Sequence, residues 1–220
     1  MQESSMGDLF TNRAEAGRAL ADRLQAYAGR RDVVVLALPR GGVPVAWEVA
    51  RALSAPLDLL IVRKLAVPRQ PDVAMGAIAS AGAMHIDSKV ASNYGVSARQ
   101  LDEIIAAESL ELIRRHALYC GKRESVPVEG RTVVVVDDGV ATGASMRAAL
   151  IALRSAKPAW IVVAVPVAPP EAQELIGTAA DEFACVLSPQ DFTSVGQYYR
   201  EFAQTGDEQI RTLLARSPVQ

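Results

Sequence analysis

Two carboxylates stand side by side at Asp137 and Asp138, directly after the apolar run 133–136 and directly before Gly139, Val140, Ala141, Thr142, Gly143, Ala144 and Ser145. A structural turn needs only one Asp or Asn, whereas adjacent like charges at the end of a buried strand repel and ask for a ligand or a cation. The residues after the pair are small or hydroxylated. Where such a loop enters a helix it offers free backbone N–H groups, a glycine that permits close approach, and the Thr142 and Ser145 hydroxyls as further donors. That combination suits a phosphate.

Two more strand ends are cationic. Pro39, Arg40, Gly41 and Gly42 combine exposed backbone N–H groups with a guanidinium, and Arg63 with Lys64 closes the neighbouring apolar run. Together they suit a second anion, of pyrophosphate size. Two anion sites flanking a carboxylate pair describe a sugar phosphorylated at both ends. A ribose 5-phosphate fits, because its hydroxyls can donate to Asp137 and Asp138. A receiver-type domain also runs a strand into paired acids, but there the pair follows the first strand. Here it lies past mid-chain.

The elements that must position these residues alternate strand and helix. Asn12 with Glu15 marks a helix start, followed by a strand over 33–37, a helix over 43–53 and an apolar run over 57–62. Strands that are apolar on nearly every residue are expected to be buried on both faces of a parallel central sheet flanked by helices, an α/β fold. Residues 66–86 interrupt this rhythm with two prolines and small residues around Gly76 and Gly82. They read as a flexible hairpin excursion and a candidate lid. Ser97 with Gln100 opens a long helix to about Tyr119. The strand at 133, a helix over 145–156, a strand over 160–165, a helix from Pro170 and a strand over 184–187 follow. An aromatic C-terminal segment, 188–220, ends the chain. The expectation is one domain over 1–220, with its core over about 31–190.

At 220 residues and 50% hydrophobic content the chain can bury a core, and its net charge of −2 provides no broad basic face for nucleic acid or a membrane surface. Cys120 and Cys185 are far apart and are expected to be reduced. His85 and His116 show no Cys or carboxylate partner at metal spacing, so no protein metal ligands are expected. Trp47 and Trp160 read as core, and Phe192, Tyr198 and Tyr199 more as packing than as a platform for a base. No apolar run reaches the roughly 20 residues of a membrane span, and residues 1–5 lack the basic and apolar parts of a signal peptide. A cytoplasmic location is expected.

The stretch VVVVDDGVATGAS resembles the phosphoribosyl pyrophosphate (PRPP) signature of the type I phosphoribosyltransferases, LPRGG resembles their pyrophosphate loop, and VRKL resembles their basic strand end. The resemblance spans about 33–165, and the chain is similar to an uncharacterised bacterial branch of the family. It implies that Asp137 and Asp138 bind the ribose hydroxyls and that residues 140–145 hold the 5-phosphate. Arg40, Gly41, Gly42 and Lys64, with Arg63 beside them, would contact pyrophosphate. It further implies Mg2+ carried on PRPP, a small-molecule nitrogen acceptor, a homodimer and a small hood-like C-terminal segment. A non-catalytic PRPP sensor would keep the same motifs. Family members acting on hypoxanthine or guanine carry an acid three positions beyond the acidic pair, where this chain has Ala141. That departure argues against ordinary purine salvage. The tail TSVGQYY faintly resembles the base-covering segment of those enzymes, with Phe192 offset by one position.

Overall fold

The computed structural model describes residues 9–80, 82–121 and 123–217; residues 1–5, expected to lack a signal peptide, lie outside the described residues. In chain order the elements are α1 (Arg13–Arg23), β1 (Val33–Ala37), α2 (Gly42–Leu53), β2 (Leu57–Leu59), β3 (Val62–Val67), β4 (Gln70–Ala79), β5 (Ala83–Ile86), α3 (Ser88–Asn93), α4 (Ala98–Cys120), β6 (Thr132–Val136), α5 (Ala144–Arg154), β7 (Trp160–Val167), α6 (Ala172–Ile176), β8 (Glu182–Leu187) and α7 (Asp207–Ala215).

Five strands form a parallel sheet in the order β2-β1-β6-β7-β8. Alternate residues serve opposite cores, which explains the unbroken valine runs. Val33, Val35, Ala37, Val134 and Val136 face a core shared with α1 and α2, while Val34, Leu36, Val133, Val135 and Val163 face one shared with α5. From β1 the chain turns to β2 on one side and later returns to β6 on the other. The carboxyl ends of β1 and β6 therefore form the topological switch point, where open α/β sheets bind ligands.

Local signals place the helices. Asn12 Oδ1 accepts from the Ala14 and Glu15 amides at 3.1 Å and starts α1, and Ser97 and Gln100 exchange backbone contacts in the capping box that starts α4.

Several expectations are corrected. The apolar run over 57–62 is not one strand: it breaks at Leu60 and Ile61, and β3 begins a second sheet. Residues 66–86 do form the hairpin expected around Gly82, but as part of an antiparallel three-stranded sheet, β3-β4-β5, not as a flexible loop. Leu65, Val67, Met75 and Ile78 bury its inner face against Leu101, Ile104 and Ile105 of α4. Gly76 is a strand residue, packed against the His85 carbonyl too closely to admit a Cβ. Trp160 opens β7 and is 44% exposed, outside the core. The C-terminal segment holds a helix, α7, which the aromatic tail did not announce. No described helix is long and apolar enough to cross a membrane.

Candidate active site

The acidic turn sits where the switch point requires it. Asp137 follows the last residue of β6, and its Oδ1 accepts from the Asp138 amide at 2.8 Å, which closes the turn tightly. Burial, and then the charge of Asp138, raise the Asp137 carboxyl well above the ordinary carboxylate range. Val136 O accepts from the Leu38 amide at 2.9 Å, so the loop after β1 lies directly alongside. A Cβ on Gly41 would overlap the Asp138 carboxylate, and one on Gly42 would lie 2.7 Å from Val136 O. The two glycines let the cationic loop and the acidic turn touch.

Beyond the turn, Gly143 takes a left-handed conformation (φ 71°) and caps α5 without a side-chain hydrogen bond. Ala141, Thr142, Ala144 and Ser145 are exposed around it. The Ala144 amide donates to Thr142 Oγ1 at 3.5 Å, so the exposed entry of α5 offers an anion the amides that follow it together with the Thr142 and Ser145 hydroxyls. Val140 differs from its neighbours. Its side chain is buried in the core and its amide donates to Val167 O at 3.0 Å, so it shapes the loop and has no donor left for a phosphate.

A cavity of about 520 Å3 joins several of these residues: Pro39, Lys64, Asp137, Ala144 and Ser145 line it, floored by Leu60 and Ile61. Arg63 and Lys64 are successive residues of β3 and face opposite ways. Lys64 reaches the cavity, whereas Arg63 Nε pairs with Glu108 of α4 at 2.6 Å and stays outside it. Arg40 points away from the cavity floor, its Nε 3.5 Å from Asp207 at the start of α7. The Pro39–Arg40 peptide is cis.

Two contributors, Arg13 and Asp207, escaped the sequence, and a third, Tyr199, packs as expected but also reaches the acidic turn. Arg13, at the start of α1, places Nε 2.8 Å from Asp138 Oδ2 and donates from Nη1 to Ala203 O at 2.7 Å. Its guanidinium lies 4.0 Å from the centre of the Phe202 ring. Tyr199 donates its hydroxyl to Asp138 O at 2.6 Å, and burial raises its phenol above the ordinary range. Asp207 holds Arg40. Only the Asn12 cap hinted that residue 13 opens a helix, and nothing in sequence spacing joins it to residue 138. Phe192 and Tyr198 stack on each other with ring centres 5.8 Å apart, the packing role expected of them.

Comparison with known proteins agrees with this architecture. Residues 6–200 match the model of the phosphoribosyl transferase domain. The chain is 44% identical over 209 residues to a Mycobacterium tuberculosis protein named "Putative phosphoribosyl transferase Rv0571c", and to its counterpart MT0597 from a second strain. These matches cover 95% of this chain and 47% of the relatives, so the chain spans about half their length. The crystal structure of TT1426 from Thermus thermophilus superposes with a TM-score of 0.83 at 41% identity, covering 95% of this chain and 99% of that one. With the acidic turn, the phosphate-type helix entry and the Pro39–Gly42 loop converging at the switch point of such a sheet, the chain belongs to the phosphoribosyl transferase family.

Proposed function

We propose that the chain is a magnesium-dependent transferase that moves the ribose 5-phosphate of PRPP to a nitrogenous base or related nitrogen nucleophile and releases pyrophosphate. One observation carries this reading: Asp137, Lys64 and the entry of α5 share a single cavity at the switch point, with the Pro39–Gly42 loop pressed against the acidic pair. In it, the α5 amides with Thr142 and Ser145 take the 5-phosphate, and Asp137 and Asp138 orient the ribose hydroxyls. Lys64 and the Gly41 amide take the pyrophosphate, joined by Arg40 once it leaves Asp207, whereas the Gly42 amide donates to Leu38 O at 3.1 Å and serves the close packing of the loop. Loss of pyrophosphate leaves positive charge on the sugar ring, so the residues act by positioning and electrostatics more than by acid–base chemistry.

Magnesium would neutralise charge on the departing pyrophosphate. Asp138 is already paired with Arg13. The crevice therefore presents no carboxylate cage among the described residues, which fits a cation that arrives on PRPP's own oxygens. The same reading takes residues 1–220 as one domain acting in the cytoplasm as a homodimer, with no nucleic-acid or membrane partner.

Release of pyrophosphate from PRPP and magnesium, measured across a panel of nitrogen bases, tests the proposal. A protein that binds PRPP yet releases no pyrophosphate with any base would fit the second reading, a PRPP-sensing binding protein. The Arg13–Asp138 pair favours that alternative, because the chain's own guanidinium occupies a carboxylate needed for the ribose.

A further inference from the structure

A cluster unrelated to the crevice lies on the edge strand of the parallel sheet. Asp58, in the middle of β2, is only 2% exposed, while its neighbours Leu57 and Leu59 enter the core. Its Oδ1 accepts from the Leu59 amide and its Oδ2 from the Val126 amide, both at 2.8 Å. None of the ion pairs among the described residues includes it. Arg123 acts on the same surroundings but directs its guanidinium to the carbonyls of Leu57 and Leu214. A buried carboxylate without a bonded cation is costly and calls for a positive partner.

Opposite Asp58, the last turns of α4 present His116 and Cys120, four positions apart and so on one helix face. This corrects the expectation that His116 lacks a Cys partner: Cys120 stands at i+4 on the same face of α4. One ligand atom each from Asp58, His116 and Cys120 lies within 4.8 Å of the others, and Cys120 Sγ is 4.0 Å from Asp58 Oδ1. Donors around a tetrahedral zinc, bound at about 2.0–2.3 Å, stand roughly 3.5 Å apart, so small side-chain adjustments close the set. Ser125 Oγ is 3.1 Å from His116 Nε2, the kind of outer contact that fixes a ligating ring. His116 and Ser125 also border an open cavity of about 450 Å3, which gives an ion a route in.

We infer that Asp58, His116 and Cys120 bind one divalent transition metal ion of the zinc class. Oxygen, nitrogen and sulfur donors in one set select zinc or cobalt over magnesium or calcium. Burial and the Asp58 charge push the free thiol up to about 11, so the site discourages a bare thiolate; a bound cation reverses that preference, and the thiol proton leaves as the metal–sulfur bond forms. The ion ties the end of α4 to β2, whose continuation through Leu60 and Ile61 floors the candidate active-site cavity.

The test is titration of chelator-treated full chain with Co2+. The expected result is a one-equivalent end point with a thiolate-to-cobalt charge-transfer band, displaced by Zn2+ and accompanied by a rise in Tm. Cys120→Ser should abolish the band, His116→Ala should abolish the end point, and Ser125→Ala should weaken affinity about 10- to 100-fold. Cys185→Ser should change nothing. Absence of a sulfur band in the wild type overturns the inference, as does a band lost with Cys185 instead of Cys120. Because His116 and Cys120 are only half-buried, circular dichroism of both variants separates lost metal from lost fold.

Discussion

Arg13 Nε stands 2.8 Å from Asp138 Oδ2, so a guanidinium from the first helix neutralises an acidic turn 125 residues further along the chain. Both side chains are largely shielded, at 11% and 14% exposure, and solvent screening is correspondingly weak. Arg13→Gln should therefore lower the unfolding free energy of the ligand-free protein by about 2 kcal/mol, the order of a charge-assisted hydrogen bond. Urea denaturation at neutral pH measures it. An unchanged midpoint would show the pair to be energetically idle.

Asp137 gives stability a pH dependence of a particular sign. Its folded-state pKa is raised by burial and by Asp138, so the folded protein holds a proton that the unfolded chain releases from its ordinary value of 3.8 upward. Its contribution to stability is full below that value and is lost as pH rises through the raised folded value. Asp137→Asn should flatten this decline without ligand, keep the fold, and lower transfer activity about 10²-fold. Thermal melts from pH 4 upward check the first part, and a wild-type slope retained in the variant would assign the proton elsewhere.

Lys64 and Arg63 should separate cleanly. Lys64→Ala removes the cation in the crevice and should weaken pyrophosphate binding about 10- to 100-fold by calorimetry. Arg63→Ala breaks only the contact with Glu108 on α4 and should leave that affinity unchanged while costing up to about 1 kcal/mol of stability. Equal loss in both variants would mean that the two residues act as one patch.

The two anion sites can be told apart with ribose 5-phosphate, which lacks the pyrophosphate. Its binding should survive Arg40→Ala and weaken in Thr142→Ala, because Thr142 lies beside the α5 entry whereas Arg40 faces Asp207. The reverse order in a titration would exchange the assignments of the two loops.

The acidic turn, the buried parallel strands and the capped starts of α1 and α4 are legible in the sequence because each is written in adjacent residues. Period and capping are local signals. The roles of Arg13 and Asp207, and the contact of the packing residue Tyr199 with Asp138, are not legible, since their partners are fixed by how α1 and the C-terminal segment pack over the sheet, and no short-range pattern encodes that docking. The second sheet reads only as a hairpin excursion, without its third strand, for a related reason. Its alanine-rich strands become regular through pairing and through burial against α4, not through propensity. Val140 falls within the phosphate loop by position, although its side chain follows the core.

The strand order has a kinetic consequence. β1 and β6 are direct neighbours, Val33 opposite Thr132, yet all of α2, β2, the antiparallel sheet, α3 and α4 separates them along the chain. Closing so long a loop costs entropy before the contact repays it, and such pairings slow folding. The antiparallel sheet and the helices beside it need only short closures and can organise early, whereas the crevice between β1 and β6 exists only once the longest-range contact of the central sheet has formed. Recovery of PRPP binding during refolding would then trail recovery of helical signal, so the ligand serves as a clock for the last step of assembly.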